Sequence, residues 1–429
     1  MIEHRRPAVA MLVVLVTIFA YSLWWAPVVQ HQAEWLSPAD LWGQFRAAHY
    51  VGWGDEGSIY ANGTSLNTFP GIAVLLSPVA MVSGALNLTE SFQLFLPKPT
   101  AWLVLGPASI LLSSMLLFPL DAVARRLQVP PRRRSLVMAL EAALIWPVVA
   151  IWGHPEATLA VAFALYGILA AVDRLWLRAA MLLALGVAFQ PLVLVVVPLV
   201  LAFVPVRRWL PLAGIVALPS AVLLLAPLAQ QWGTTWFQLS RQPGYPARAH
   251  PTPWLAWAPV LQHPRSVIVR ELRYVRFPDG RHLLTMVPFH ETSALVIASG
   301  PGRIVAMVIA CGLGIWIARW RPPLSTVLWC GAVALSLRCA LESVLLPYYL
   351  LPGLALALVV AATTSMRRFI LVIAMSAACT ALSYRHSGPW GYYLPIVITL
   401  AAALWAAWPG VGTIEAEPIE APESIERVR

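Results

Sequence analysis

The chain contains little charge: only 11% of its 429 residues are Asp, Glu, Lys or Arg, whereas a soluble domain carries about 25%. Lys98 is the sole lysine among 29 basic residues. The four cysteines lie in or beside apolar runs without CxxC spacing, so they indicate neither a disulfide framework nor a zinc site. These deficits exclude a soluble globular enzyme. The net charge of +10 therefore indicates membrane orientation and no nucleic-acid partner.

Apolar runs dominate what is present: 59% of the residues are hydrophobic and the mean hydropathy is +0.73. A transmembrane helix needs roughly 20 apolar residues, and such runs recur along nearly the whole chain. They do not alternate polar and apolar residues as transmembrane β-strands do. The sequence predicts an all-α polytopic transmembrane bundle of about 10–12 membrane segments, some of them short, broken or re-entrant.

The predicted organisation is one transmembrane domain, residues 1–408, with outer loops at 27–68 and 230–300. Residues 409–429 are acidic and contain proline, which predicts a disordered tail. Basic residues near helix ends favour the cytoplasmic side. Arg5 and Arg6 therefore place the N-terminus in the cytoplasm, and the crossing count puts the tail there too. We expect a multi-pass protein of the cell membrane.

Two segments do not fit a simple count of crossings. The arginines at 125–134 should be cytoplasmic, yet two full crossings within 69–120 would place them outside. We expect residues 70–84, which contain Pro78, to form a short broken helix that does not cross. Residues 179–204 have arginines at both flanks, which predicts a hairpin with its tip at Gln190, next to Pro191.

The first outer loop holds acidic side chains among tryptophans. Because Trp and Tyr favour the headgroup level, residues 39–51 predict a helix lying on the outer surface. Asp40 falls in its first turn, where an acid near the apolar zone is a functional candidate but can also simply satisfy free backbone amides. Asp55 and Glu56 are further acids of this loop, and a glycine-flanked turn is the structural explanation for both.

Several motifs follow one another in a recognisable order. They are the segment from Asp40 to Ala48, the segment Gly57-Ser-Ile-Tyr60, the segment from Asn67 to Pro78, the segment Gly153-His-Pro-Glu-Ala157, and the segment from Leu185 to Pro191. Together they resemble GT-C-type membrane glycosyltransferases that use polyprenyl-phosphate mannose. The chain differs from that pattern at Phe69-Pro70-Gly71, where Tyr-Pro-Pro is usual, and at Gln190, where lysine is common.

The resemblance implies roles for specific residues. Asp40 would be the general base that deprotonates an acceptor hydroxyl while the sugar leaves a lipid phosphate. Asp55 and Glu56 are the reserve catalytic candidates. Tyr60, His154, Glu156 and Gln190 belong to the resembling motifs and are the candidate substrate-binding residues. The resemblance implies no resident cofactor and leaves dependence on a divalent metal open.

A departing polyprenyl phosphate needs cationic stabilisation, and arginine suits phosphate. The long outer loop offers Arg270, Arg273 and Arg276, which would form one basic stripe on a helix, and His250. A headgroup-binding or solvated face is the alternative explanation of that stripe.

The predicted function is transfer of a sugar, mannose or arabinose, from a polyprenyl-phosphate donor to a lipid or polysaccharide acceptor on the outer face. The predicted partners are that donor, the acceptor and membrane lipids. One alternative is a lipid or glycolipid transporter or flippase, in which Gln190, Arg338 and Glu342 line a path. The other is a non-catalytic protein of envelope assembly.

Overall fold

A computed structural model describes residues 5–24, 35, 37–61, 66, 68–90, 98–244, 250–276, 282–385 and 388–410. Residues 411–429 of the predicted tail lie outside them, as do parts of both predicted outer loops. The helices are α1 (Arg5–Ala20), α2 (Ala39–Gly52), α3 (Gly71–Ala85), α4 (Trp102–Ser114), α5 (Leu117–Arg126), α6 (Pro131–Pro147), α7 (Pro155–Val172), α8 (Trp176–Phe189), α9 (Val197–Leu201), α10 (Trp209–Gln230), α11 (Trp232–Arg241), α12 (Gly302–Trp320), α13 (Leu324–Leu341), α14 (Leu351–Ala361), α15 (Met366–Leu382) and α16 (Pro389–Ala407).

The prediction of an all-α polytopic helical bundle is confirmed. Within the described residues, eight helical segments are long and apolar enough to cross a membrane. Their buried positions are mostly Ala, Leu, Val and Ile, and the central helix α14 is buried along its entire length. The eight segments are Arg5–Trp24, Trp102–Arg126, Pro131–Trp152, Pro155–Val172, Val206–Gln230, Gly302–Trp320, Leu324–Leu341 and Pro389–Ala407.

The ends of the helices define two opposite faces of the bundle. On one face, which we call the arginine face, arginines bind helix ends and acidic side chains. Arg133 donates to the carbonyls of Ala362 and Thr364 just after α14, and Arg126 pairs with Asp173 at the end of α7. Cations at helix C-termini are favourable because the last carbonyls carry partial negative charge. The opposite face, which we call the loop face, carries the ends of α1 and α13 and the start of α4.

Helix α3 does not cross between the two faces. Trp102 at the start of α4 donates to Ser22 at the end of α1 (2.8 Å), so these two ends share the loop face. The intervening chain must then return to the face from which it started. At 15 residues, α3 is about 22 Å long, shorter than the roughly 30 Å hydrocarbon core. The expected break at Pro78 is wrong, because the helix continues through this residue. The proline only removes one backbone N–H donor from the helix.

The predicted hairpin at Gln190 is present. Helix α8 ends at Phe189, Gln190 is extended, and a short 3-10 segment, Pro191–Val195, leads into α9. The guanidinium of Arg208 lies 4.4 Å from the ring centroid of Trp176, which joins the two ends of the segment at the arginine face. The chain therefore starts from and returns to the arginine face here.

Two long strands lie between α11 and α12, where the sequence indicates only a polar loop. β1 (Val260–Arg276) pairs antiparallel with β2 (His282–Ile297), and the register shifts at three places near the start of β1. The sheet adjoins the membrane bundle through Gly244, which pairs with Ile297. This hairpin contains many of the β-branched residues of the region, such as Val267, Ile268 and Val269, which favour strands.

Candidate active site on the loop face

The centre of the candidate site is an acid–histidine–acid arrangement. His154 lies between the carboxylates of Asp40 and Glu156: its Nε2 is 3.2 Å from Asp40 Oδ2 and its Nδ1 is 2.6 Å from Glu156 Oε1. Asp40 is 54% exposed, whereas the side chains of His154 and Glu156 are only 12% and 3% exposed. The exposed carboxylate can therefore meet a substrate, while the two residues behind it are shielded from water. The structure brings together three residues that the sequence predicted separately.

Local backbone geometry explains how Asp40 and His154 meet. A π-helical turn, Val148–Trp152, ends at Gly153, which adopts a left-handed φ of 64°. The N-terminal end of α2 packs directly against this glycine, because a Cβ at position 153 would lie 2.5 Å from the Cβ of Pro38 and 2.9 Å from that of Leu41. Glycine is the residue that tolerates both the dihedral and the close approach.

The two carboxylates control the charge of the histidine. Burial disfavours the charged imidazole, but the nearby charge of Glu156 and the contacts with Asp40 outweigh it and raise the pKa of His154 to about 9. The imidazolium then donates from both nitrogens at neutral pH. One oxygen of Glu156, Oε2, is buried and has no hydrogen-bond partner among the described residues.

Aromatic rings form the wall beside this arrangement. The phenol ring of Tyr348 stacks on His154, with centroids 4.0 Å apart and planes 22° apart. Trp152 contacts both Tyr348 and His250, and His250 contacts Tyr392 edge-on. The candidate His250 is therefore brought to the site, on the side of Trp152. Such a wall can support a sugar ring or exclude water from the carboxylate.

A cationic cluster adjoins the aromatic wall. Arg303 at the start of α12 and Arg338 near the end of α13 both donate to Glu342 Oε1, at 3.1 and 2.9 Å. The guanidinium of Arg338 also lies 3.3 Å from the ring centroid of Tyr349, which contacts Tyr348. Two arginines and one glutamate give this cluster a net positive charge. An anion bound next to the aromatic wall would therefore share its site with the two arginines.

An apolar cavity of about 620 Å³ begins at the same cluster. Arg303 lies at one end, and the rest of the cavity follows one face of α12 away from the loop face. This shape suits a ligand with an anionic head and a long hydrocarbon tail. The residues lining the cavity are Arg303, Ile304, Met307, Val308, Cys311, Gly312 and Ile315.

Tyr60 and Gln190 meet through Thr68 rather than at the acid–histidine arrangement. The Tyr60 hydroxyl donates to the Thr68 carbonyl (2.8 Å), and the Thr68 hydroxyl lies 2.7 Å from the Phe189 carbonyl and 3.2 Å from Gln190 Oε1. The Tyr60 ring is fully buried. These contacts fasten the first loop to the tip of the hairpin. No contact in the described part of the chain brings either residue to Asp40.

Asp55 and Glu56 lie at the other end of α2 from Asp40. The helix rises about 1.5 Å per residue, which separates the two ends by roughly 20 Å. The Asp55 amide donates to the Tyr50 carbonyl (2.8 Å) in the turn that ends α2. The structure therefore groups Asp40, and not the two reserve candidates, with His154.

Arg270, Arg273 and Arg276 lie on strand β1. The expected helical stripe is wrong, because a spacing of three residues lines one face of a helix but not of a strand, whose side chains alternate. The phosphate-binding role itself stays a prediction, since no contact of these side chains is among the described ones.

Sequence reasoning missed part of the site. Arg303 and Tyr348 are not among the sequence candidates, and Arg338 and Glu342 enter only through the transporter alternative. A signal existed for the arginines: each is an ionisable residue at the end of an apolar run, which is costly in a membrane unless it has a use. No pattern connected α12 to α13 across the intervening turn.

No group of three or more His, Cys, Asp or Glu residues in the described ranges is arranged to hold a metal ion. Comparison with known protein families, curated proteins and solved structures finds no match to this chain.

Proposed function

We propose that the protein is a GT-C-type membrane glycosyltransferase that moves a sugar, mannose or arabinose, from a polyprenyl-phosphate donor to a lipid or polysaccharide acceptor. We place the reaction on the loop face and assign that face to the outside of the cell membrane. The observation that carries the proposal is the half-exposed Asp40 held by the mostly shielded His154, with an arginine cluster at the far side of the same aromatic wall.

Asp40 acts as the general base. One carboxylate oxygen takes the proton of the acceptor hydroxyl while the hydroxyl oxygen bonds to the anomeric carbon and the bond from that carbon to the phosphate oxygen breaks. His154 orients the carboxylate through its hydrogen bond. An imidazolium alone would weaken the base, but Glu156 offsets its charge from the other side.

Arg303 and Arg338 stabilise the phosphate that leaves. Charge develops on the phosphate oxygen as the sugar departs, and prepositioned guanidinium groups suit that charge geometrically. The stacking on Tyr349 and the shared bonds to Glu342 hold Arg338 in place before the donor binds. The prenyl tail occupies the apolar cavity along α12, whose charged end is Arg303.

The test is sugar transfer in proteoliposomes with a panel of radiolabelled polyprenyl-phosphate sugars and membrane-extracted acceptors. Asp40→Asn keeps the shape but removes the base, so we expect transfer to fall by roughly 10²–10⁴-fold. Glu56→Gln is the matched control, an exposed acid at the opposite end of α2 whose loss should leave transfer unchanged. Transfer that survives in Asp40→Asn, or that is lost in Glu56→Gln, contradicts the assignment of the base.

A lipid or glycolipid transporter is the second candidate, and Glu141 is the observation that favours it. This residue lies within the spanning helix α6, is completely buried, and neither carboxylate oxygen has a partner among the described residues. Ionisable groups at membrane depth are typical of transport paths. A lipid-flux assay with Glu141→Gln separates the two: loss of flux without any sugar transfer by the wild type favours the transporter.

A further inference from the structure

A second cavity lies beside the first half of α8, next to the arginine face. Its volume is about 700 Å³. Most of its wall is apolar, and its charged groups are all arginines. The lining residues are Arg174, Leu175, Trp176, Leu177, Arg178, Met181, Leu182, Leu185 and Arg208.

The apolar wall is a continuous stripe along the helix. Leu177, Met181 and Leu185 recur every fourth residue, so they lie on one side of α8. They are 59%, 51% and 43% exposed, which means that no other part of the described chain covers them. From Leu177 to Leu185 the stripe extends about 12 Å along the helix axis. This length accommodates most of one acyl chain in its own leaflet.

Contacts within the protein position the arginines at the basic end of the cavity. Arg208 stacks on Trp176, which places its guanidinium at the mouth, and Arg178 lies in the first turn of α8. The nearby acid Asp173 bonds to Arg126 (2.8 Å), so an arginine outside the cavity already balances its charge. The cavity therefore combines a positive head region with a hydrocarbon-compatible trough.

We propose that this cavity binds an anionic phospholipid, with its phosphate between Arg178 and Arg208 and one acyl chain along the stripe on α8. Basic pockets beside apolar helix surfaces suit acidic lipid headgroups. The bound lipid covers the outward side of the hairpin, where the protein itself leaves α8 bare. The proposal does not depend on glycosyl transfer.

The first experiment measures lipid affinity with the purified full chain in detergent, by native mass spectrometry. Phosphatidylglycerol is compared with phosphatidylcholine of the same chains. The double variant Arg178→Gln/Arg208→Gln should bind phosphatidylglycerol roughly 25-fold more weakly, about five-fold for each arginine. The control double variant Arg207→Gln/Arg367→Gln removes two exposed arginines outside the cavity, and its affinity should remain within about two-fold of the wild type.

The second experiment tests the trough. Met181→Trp fills it and should abolish the preference for phosphatidylglycerol. Leu218→Trp places the same ring on an exposed apolar position of α10, 59% exposed, and should preserve the preference. Equal affinity for phosphatidylcholine, or equally tight binding of soluble glycerol phosphate, would overturn the proposal, because the site would then lack headgroup selectivity or would not need the acyl chain. Gel filtration of each variant confirms that it is folded.

Discussion

The imidazole of His154 and the phenol ring of Tyr348 stack face to face, 4.0 Å between centroids, at the junction of two distant parts of the chain. This contact connects the first half of the sequence, which supplies the acid–histidine–acid arrangement, to the second half, which supplies the arginines. The aromatic pair keeps the two charged centres at a fixed separation.

We expect stability to depend on pH through His154. Its pKa is about 9 in the folded protein and 6.5 when unfolded, so protonation stabilises the fold fully below about pH 6.5. That contribution, on the order of 3 kcal/mol, is lost as the pH rises through 9. The unfolding midpoint in detergent should fall between pH 6.5 and 9.5. In His154→Gln this fall should be much smaller; an identical fall would assign the pH dependence to other groups.

Gly153→Ala should detach α2 from the site. An alanine at position 153 must adopt a left-handed backbone, and its methyl group would also overlap Pro38. We therefore expect the free energy of unfolding to fall by at least about 2 kcal/mol and most activity to be lost. Gly54→Ala is the control, because Gly54 has φ 76° but nothing within 4 Å of an added Cβ. It should show only the dihedral cost, about 1 kcal/mol. Denaturant or thermal unfolding compares the two, and equal losses would mean that the contact with Pro38 is unimportant.

Arg338→Lys should weaken the donor site despite keeping the charge. Lysine lacks the planar group that stacks on Tyr349 while it bonds to Glu342. We expect the KM for the lipid donor to rise about ten-fold, which corresponds to a loss of about 1.4 kcal/mol of binding free energy. The KM for the acceptor should change less. Arg319→Lys, at the other end of α12, serves as the control. A change confined to the acceptor would remove Arg338 from the donor site.

Thr68→Val should loosen the first loop from the hairpin. The hydroxyl bonds to the Phe189 carbonyl from a site that is 5% exposed, and its loss should cost about 1–2 kcal/mol. Thr158→Val is the comparison, since the buried Thr158 hydroxyl donates to the Pro155 carbonyl within its own helix, α7. Thermal unfolding reports both. No difference between the variants would show that the contact does not stabilise the fold.

The sequence predicted the features that depend on local chemistry. Arginine placement and apolar run length predicted the hairpin at Gln190 and the non-crossing α3, because the cost of burying charge constrains where the chain can turn. Asp40, His154, Glu156 and His250 were candidates before their contacts were known. By contrast, the contacts from Tyr348 to His154 and from Arg303 to Glu342 join residues far apart in the chain. Helix packing alone creates these contacts, and a single sequence does not show which helices pack together.

The β1–β2 hairpin marks a second limit. Its segment has scattered arginines and short apolar pieces, and the three-residue spacing from Arg270 to Arg276 resembles a helical repeat. Cross-strand pairing, which ranges from Val260 with Ile297 to Arg276 with His282, overrides that spacing. A local pattern could not reveal the partner strand.

The shortness of α3 and α8 has a consequence for the surrounding lipid. Both helices are about 21–22 Å long and carry exposed apolar side chains, so the lipid-facing side that each helix forms is shorter than the roughly 30 Å of a typical bilayer. Lipids bordering that side must shorten or splay to match it. We expect the protein to be most stable in thin membranes, and a series of phosphatidylcholines of increasing chain length would reveal that preference as hydrophobic mismatch.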